Sequence, residues 1–173
     1  SMITLEEVKQ IVPNLKSDKQ IQITGMINET CNIYQINTKL RLKHFLAQTL
    51  HESMGFYYTE EIASGKQYEN RKDLGNIIKG DGVRFKGRGY IQLTGRTNCD
   101  IYGRFKKVDF LSRPELVATT YPMDVAGWYW DKKKLNTYAD TDDIKTITRL
   151  INGGLNGLED RINWYNKLNK IIK

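Results

Sequence analysis

Residues 44–61 read HFLAQTLHESMGFYYTEE, and this stretch decides how the rest of the chain is interpreted. Its first half places apolar residues near helical spacing, which predicts a helix that ends in a His-Glu pair at His51 and Glu52. The helical pattern breaks at a glycine and passes through aromatic residues to a second acidic pair, Glu60 and Glu61. One carboxylic acid and one carboxylate, held a sugar-sized gap apart, can protonate a leaving oxygen and activate a water. The stretch therefore predicts an acid/base site.

The size and composition indicate one soluble globular domain. The chain has 173 residues, of which 39% are hydrophobic and 27% charged, which is enough for a core of its own. Cys31 and Cys99 lack CxxC or Cys-His spacing, so we expect inert free thiols and synthesis in a reducing compartment. No long apolar run and no signal-peptide pattern is present, so we expect neither stable membrane anchoring nor a signal peptide.

The charge balance points to an anionic partner. The formal net charge is +7 and the pI is about 9.3, which favours nucleic acid, a membrane surface or an acidic polymer such as a cell wall. The basic residues are spread along the chain without a dense Arg/Lys arm, so we expect no nucleic acid as partner.

Helix signals recur through most of the chain. Thr4–Glu7 and Ser17–Gln20 have the form of capping boxes, and Asn37 and Thr38 offer caps for the helix that ends at Glu52. Further helices are predicted to open at Pro114 and to span residues 123–134, 140–150 and 158–172. We expect the aromatic residues at 128–130 to be packing and lobe-interface groups, not sugar platforms, and His51 to be a hydrogen-bonded structural residue.

The helical pattern disappears between residues 62 and 89, where glycines alternate with aromatic and cationic residues. A long structured loop inside a compact domain is usually functional, so this segment is predicted to line a cleft. The alternation at Tyr90–Thr94 then predicts a short strand with Gln92 and Thr94 on one face. No phosphate-loop motif accompanies the glycines, which argues against nucleotide binding.

Four ordered motifs together resemble glycoside hydrolase family 19, and most of all its phage and prophage endolysin branch. They are HESMGF at 51–56, EIASGKQYENRKDLGN at 61–76, GDGVRFKGRGYIQLTGR at 80–96 and INGG at 151–154. The resemblance implies a mainly α, lysozyme-like two-lobed α+β fold with a small strand element and a long Gly-rich loop lining the cleft. It also implies a single family 19-like catalytic domain over residues 1–173.

The resemblance assigns Glu52 as the general acid and Glu61 as the general base of an inverting mechanism. Glu60 stays open as the base, because the register is uncertain by one residue. Inverting glycosidases keep the two carboxyl groups roughly 6.5–9.5 Å apart, so that water fits between the base and the sugar. We expect apolar packing, including Phe45 and Phe56, to keep the acid protonated, and the open loop to keep the base ionised.

The resemblance further implies five substrate-binding residues, Gln92, Thr94, Asn98, Asn152 and Arg161. Thr94 matches a residue that helps to hold the attacking water, and Arg161 matches an arginine that supports the acid. Cys99 departs from the pattern, because an aromatic residue commonly follows Asn98 in the family; its role stays open.

The expected function is that of a peptidoglycan-degrading endolysin that hydrolyses β-1,4 bonds between amino sugars and causes bacterial lysis. The alternative is a chitinase, and the bond that is cut (muramidase, glucosaminidase or chitinase) and the host stay open. We expect no metal and no cofactor, a peptidoglycan or chitin-type polysaccharide as partner, and a monomer. We also expect synthesis in the cytoplasm and action on the cell wall after release by a phage or prophage lysis system.

Two other classes of protein would require different features of the sequence or behaviour of the chain. A zinc amidase or peptidase needs several metal ligands, but the chain has two histidines, His44 and His51, and no HExxH motif. A non-catalytic wall-binding or nucleic-acid-binding module would show salt-sensitive binding without bond cleavage, and substitution of Glu52 would then be harmless.

Overall fold

The structure is a computed structural model that describes residues 2–173, so Ser1 lies outside it. Within that range the predicted mainly helical fold is confirmed. The α-helices are α1 Leu5–Ile11, α2 Ser17–Ile33, α3 Lys39–Glu52, α4 Asp81–Arg84, α5 Arg96–Lys106, α6 Leu116–Thr119, α7 Pro122–Lys132, α8 Leu135–Asp140, α9 Ile144–Asn152 and α10 Leu158–Ile171. Two 3₁₀ turns lie at Lys66–Tyr68 and Lys72–Leu74.

The helix starts follow the predicted caps in two of three cases. The Thr4 hydroxyl accepts the Glu7 N–H at 3.1 Å, and the Glu7 carboxylate accepts the Thr4 N–H at 2.9 Å, which completes the capping box. The Thr38 hydroxyl accepts the Arg41 N–H at 3.1 Å and caps α3 without a reciprocal bond. The predicted cap at Ser17 is wrong, because Ser17 already has helical backbone and Lys16 takes the N-cap position without a side-chain bond.

Two predicted helix boundaries in the second half of the chain are also wrong. The expected helix over residues 140–150 is divided, since Asp142 has a left-handed backbone (φ 56°) and Asp143 caps α9. A non-glycine residue enters that region at a cost, so the helical path cannot continue through it. Pro114 does not open a helix but lies in the turn before α6.

The chain divides into two compact units. The helical unit contains the residues up to Tyr57 together with Gly127–Lys173, and the loop unit is Tyr58–Ala126. The boundary on the C-terminal side falls inside α7.

The helical unit is built around α3, along which α10 packs. Its apolar residues Leu42, Phe45, Leu46 and Leu50 are completely buried, as the helical spacing predicts. Trp130 lies edge-on to Phe45, with ring centroids 5.4 Å apart, so the expectation that this aromatic is a packing group is confirmed.

The loop unit has a smaller aromatic core and an ordered Gly-rich segment. Tyr102 stacks on Phe110 with ring centroids 5.0 Å apart. The buried Asp81 receives two hydrogen bonds from Arg96, at 2.8 and 2.9 Å, which tie the Gly-rich segment to α5. Glu69 accepts two further backbone N–H bonds from within the segment, at 2.9 and 2.8 Å. These hydrogen bonds therefore hold the segment as an ordered loop.

The predicted strand at Tyr90–Thr94 is wrong in its extent. Most of the segment forms a turn, and the extended pairing is limited to two isolated antiparallel bridges, Glu60 with Arg88 and Arg88 with Leu93. Gly89, immediately before the predicted strand, has φ 94°, and residues 89–92 form the turn that joins Arg88 to its partner Leu93.

Both cysteines are buried free thiols, as predicted. Burial raises the pKa of Cys31 in the helical unit and of Cys99 in the loop unit to about 12. No helix in residues 2–173 is long and apolar enough to cross a membrane.

Candidate active site

Glu52 is the last residue of α3 and forms an ion pair with a buried arginine. Arg161 Nη2 lies 3.0 Å from Glu52 Oε1, and the side chains of Arg161 and Glu52 are 1% and 22% exposed. The Nη1 group of Arg161 donates to Gln48 Oε1 at 2.6 Å. Gln48 lies one helical turn before Glu52, so both acceptors face Arg161 from the same side of α3. The fork of the guanidinium therefore fixes the position of the carboxylate.

Two neighbours of Glu52 are not apolar, and the first of them, Arg161, is the arginine that the resemblance places beside the acid. Its immediate partner is the Arg161 cation, and Tyr129 of α7 is near enough to respond to its charge. Burial, and then the negative charge of Glu52, raise the pKa of Tyr129. The Tyr129 hydroxyl donates to the carbonyl of Leu150 at 3.2 Å, which links α7 to the end of α9.

The turn that follows Glu52 is held in an uncommon backbone conformation. Met54, Gly55 and Phe56 have φ angles of 52°, 72° and 65°. The Gly55 N–H donates to the Leu50 carbonyl at 2.8 Å, and the Phe56 N–H donates to the Ser53 hydroxyl at 2.8 Å. Left-handed residues in succession persist only where the surroundings enforce them, and here they fix the chain immediately after the acid.

Each histidine is paired with its own aspartate. His51 Nδ1 lies 2.7 Å from Asp160 Oδ2, which confirms the prediction of a hydrogen-bonded His51. His44 Nε2 lies 2.6 Å from Asp142 Oδ1. In the part of the chain that the structure describes, no group of three or more His, Cys, Asp or Glu side chains is placed to hold a metal.

Glu61 lies in the loop unit and is held by two neutral donors. The Gly87 N–H donates to Glu61 Oε1 at 2.6 Å, and the Tyr68 hydroxyl donates to Oε2 at 3.1 Å. The Glu61 N–H in turn donates to the Gly87 carbonyl at 2.9 Å. The side chain is therefore fixed through both oxygens while its own backbone is anchored to the same loop.

Glu60, the adjacent acid, has different partners. Its carboxylate lies 2.8 Å from Lys86 Nζ and 3.6 Å from Arg88 Nε. Partial burial acts to raise the pKa of Glu60, but the two cations outweigh it and the pKa is lowered.

Gln92 packs against the residue that binds Glu61. A Cβ placed on Gly87 would lie 2.8 Å from Gln92 Oε1, so glycine is required for the close approach. Asn98 Nδ2 donates to the Thr94 carbonyl at 2.9 Å, which joins Asn98 in the first turn of α5 to Thr94 just before the helix.

The five predicted substrate-binding residues are thus divided between the units. Gln92, Thr94 and Asn98 belong to the loop unit with Glu61, whereas Arg161 contacts Glu52 in the helical unit. Asn152, at the end of α9, also belongs to the helical unit, and its side chain is exposed.

The sequence did not reveal the roles of Gln48 and Tyr129 near Glu52, or of Tyr68 and Gly87 as donors to Glu61. The position of Gln48, four residues before Glu52, is a signal that could have identified it. Tyr68 and Gly87 reach Glu61 through the course of the loop, which leaves no periodic signal in the sequence.

Comparison with known proteins shows the family. The family model Glyco_hydro_19, described as chitinase class I, matches residues 30–145, more than half of the chain. A glycosyl hydrolase family 19 domain-containing protein of Haemophilus influenzae is 32% identical, with 86% of this chain and 84% of that protein covered. The chain therefore belongs to glycoside hydrolase family 19 and is a glycosidase by class.

A plant relative and a solved structure extend the comparison. An endochitinase of Arabidopsis thaliana is 33% identical over 73% of this chain and 46% of its own length, so the chain spans about half of that protein. Chitinase C from Streptomyces griseus HUT6037 superposes with a TM-score of 0.79 at 22% identity, covering 99% of this chain and 76% of that one. The superposition confirms the fold.

Proposed function

We propose that this chain is a peptidoglycan-degrading endolysin that hydrolyses β-1,4 bonds between amino sugars with inversion. In this proposal Glu52 is the general acid, Glu61 is the general base, and residues 1–173 act as one catalytic domain. The observation that carries it is the difference between the two neighbouring acids in the loop unit. Lys86 and Arg88 neutralise Glu60, whereas neutral donors hold Glu61 and leave it able to accept a proton.

The reaction divides into two proton movements. Glu52 gives its proton to the glycosidic oxygen as the bond to the anomeric carbon breaks. Glu61 takes a proton from a water that attacks this carbon on the opposite face of the sugar ring. Once the proton has left, Glu52 carries a negative charge, and the buried Arg161 stabilises that charge. Arg161 is therefore proposed to act more strongly in the transition state than before it.

The loop unit supplies the proposed contacts to water and sugar. Thr94 is proposed to help hold the attacking water, and Gln92 and Asn98 to bind sugar hydroxyl or acetamido groups. Asn152, with its exposed amide at the end of α9, is proposed to bind the glycan from the helical unit.

The charge of the chain supports peptidoglycan as the substrate. A net charge of +7 favours an anionic wall polymer over a neutral one, because long-range attraction raises the local concentration of polymer. As part of the same proposal, the enzyme acts as a monomer on the wall after release from the cytoplasm by a phage or prophage lysis system.

Chitin is the second candidate substrate. The observation in its favour is that the plant relatives and the superposable bacterial structure carry the names endochitinase and chitinase. The chemistry of the two acids would be the same on either polymer, so the substrate rather than the mechanism separates the candidates.

The test measures reducing-sugar release from purified peptidoglycan and from chitin oligomers. We expect Glu52→Gln and Glu61→Gln to lower the rate about 10²–10⁴-fold, with Glu60→Gln, the matched control, near the wild-type rate. Mass spectrometry of the reduced ends names the bond, and NMR of the first product gives the anomer. Cleavage of chitin alone would replace peptidoglycan by the second candidate. Full activity in Glu52→Gln, or retention of the anomeric configuration, would contradict the proposed mechanism.

A further inference from the structure

Two adjoining cavities open on the helical unit, with volumes of about 270 and 420 Å³. Asn14, Leu15 and Tyr57 line both of them, so the two form one continuous depression, called here the Tyr57 groove. Neither cavity is lined by Glu52 or Arg161. The sizes fall near the range in which proteins bind small organic ligands or single units of a polymer.

Aromatic side chains form one wall of the Tyr57 groove. Tyr57 is 66% exposed, and Trp164 of α10 lines the first cavity. Lys167 Nζ lies 5.3 Å from the Trp164 ring centroid and donates to the Ile11 carbonyl at 2.8 Å, so the cation is fixed beside the indole. Aromatic rings of this kind offer an apolar face next to a polar group, which suits the apolar C–H face and the hydroxyl groups of a sugar.

The position of Tyr57 is set before any ligand arrives. It follows directly after the three left-handed residues at 54–56, and its N–H donates to the Ser53 carbonyl at 3.0 Å. Because this backbone is already fixed, ligand binding costs no further ordering of the chain at Tyr57, and more of the contact energy is retained as affinity.

The second cavity adds charge and hydrogen-bonding groups. Its wall includes Lys16 and Lys19 against a single acid, Asp18, and Lys167 lines the neighbouring cavity. The exposed amides of Asn14 and Gln22 supply donors and acceptors. A complementary ligand therefore has flat apolar faces, hydroxyl or amide groups, and negative charge.

We propose that the Tyr57 groove is a second polysaccharide-binding site, which holds a glycan strand of the anionic wall polymer while another part of the polymer is cleaved. This inference rests on the proposed function, because it takes peptidoglycan as the polymer. A chain that is held at two places dissociates more slowly, since the second contact becomes intramolecular. The groove would therefore raise affinity for the polymer and leave the cleavage of short soluble fragments unchanged.

The test is co-sedimentation with purified peptidoglycan sacculi, with every variant built on Glu52→Gln so that the sacculi stay intact. The groove variants are Tyr57→Ala and the double variant Lys16→Glu/Lys19→Glu. Their matched controls are Phe105→Ala, an aromatic residue of the loop unit that is 55% exposed, and Lys145→Glu/Lys170→Glu, two exposed cations that line neither cavity. We expect each groove variant to raise the dissociation constant about tenfold or more, and each control to change it less than twofold.

A second measurement separates the groove from the catalytic site. With Glu52 restored, Tyr57→Ala is expected to cleave soluble chitotetraose or soluble peptidoglycan fragments, whichever the wild type cuts, at the wild-type rate. Loss of this cleavage would overturn the proposal, because Tyr57 would then belong to the catalytic site. Three sedimentation results would also overturn the proposal. In the first, the groove variants bind sacculi as tightly as the parent does, and in the second, the controls lose as much binding as the groove variants do. In the third, the groove variants keep their binding to sacculi but lose binding to anionic lipid vesicles. Lysis of the sacculi by Glu52→Gln itself would contradict the proposed function and, with it, this inference, whereas intact sacculi with unchanged binding of the groove variants would contradict the groove alone.

Discussion

The surroundings of Glu52 and of Glu61 differ in kind. Glu52 ends a helix and pairs with a buried cation, whereas Glu61 lies on a loop and accepts bonds from an N–H and a hydroxyl. Lys86 and Arg88, the cations on either side of Gly87, pair with Glu60 and not with Glu61. A group that gives up a proton gains from a neighbouring positive charge once it is ionised. A group that must receive a proton is better held by neutral donors, which fix it without adding a competing charge.

The largest expected effect is on the Glu52 side. Arg161→Met removes the cation but keeps most of the volume, and it leaves Gln48 and Glu52 without their shared donor. Breaking a buried pair in this way should lower the free energy of unfolding by about 3 kcal/mol. Urea unfolding measures the change, with Arg149→Met, an exposed arginine of α9, as control. If Arg161→Met is as stable as the wild type, the ion pair between Arg161 and Glu52 does not stabilise the end of α3.

The next effect is on the Glu61 side and is expected in activity. Gly87→Ala places a Cβ 2.8 Å from Gln92 Oε1 and 3.2 Å from Gln92 Cβ, so either Gln92 turns away or the loop that donates its N–H to Glu61 shifts. We expect kcat/KM to fall about 100-fold, since a displacement near 1 Å has effects of this size. Gly25→Ala is the control, because a Cβ there meets nothing within 4 Å. Equal activity in the two variants would contradict the role of the Gly87 contact.

A smaller effect is expected from the other donor to Glu61. Tyr68→Phe removes one hydroxyl at 3.1 Å and keeps the ring. A hydrogen bond to a charged group contributes about 1.5 kcal/mol, so kcat/KM should fall about tenfold. Tyr138→Phe, in the helical unit, should leave kcat/KM unchanged. If Tyr68→Phe reduces kcat/KM more than Gly87→Ala does, the Tyr68 hydroxyl contributes more to the function of Glu61 than the Gly87 contact does.

The smallest expected effect is a difference between the two units in how their stability depends on pH. Burial, opposed by Asp142, lowers the pKa of His44 below its ordinary value of 6.5. The unfolded chain therefore takes up this proton first, and the contribution of neutral His44 is lost as pH falls through about 6.5 toward its folded pKa. Arg96 holds the pKa of Asp81 in the loop unit below 3.8, so ionised Asp81 stabilises that unit above this pH and weakens only below it.

Hydrogen exchange followed residue by residue can resolve this order. The helical unit should lose protection at mildly acidic pH, by about 1 kcal/mol per pH unit at most, before the loop unit does. His44→Gln should remove most of this pH dependence. Simultaneous loss of protection in both units, or an unchanged profile in His44→Gln, would refute the assignment to His44.

The sequence predicted the features that depend on neighbours in the chain. The apolar spacing in α3 and the reciprocal cap at Thr4 are local, and both are confirmed. The segment Tyr90–Thr94 alternates like a strand, but a strand also needs a partner, and residues 89–92 instead form the turn that joins Arg88 to Leu93. The break at Asp142 was missed for a similar reason, since a left-handed aspartate is allowed but not signalled by its neighbours.

The site shows the same division. Gln48 could be placed beside Glu52 by counting one helical turn, whereas the contact between Gln48 and Arg161 joins residues 113 positions apart. Among the sequence signals, only the resemblance to a family points to Arg161. The neutral donors to Glu61 depend on how a glycine-rich loop turns, which residue spacing does not determine.

The burial of Cys31 and Cys99 makes the protein suitable for site-specific labelling. With thiol pKa values of about 12, neither native cysteine competes for thiol-directed dyes at neutral pH. Cysteines introduced at Ile33, 48% exposed in the helical unit, and at Ile77, 73% exposed in the loop unit, would be the reactive pair. Energy transfer between dyes at these two positions would then follow the two units in single molecules during turnover, without removal of any native residue from the core.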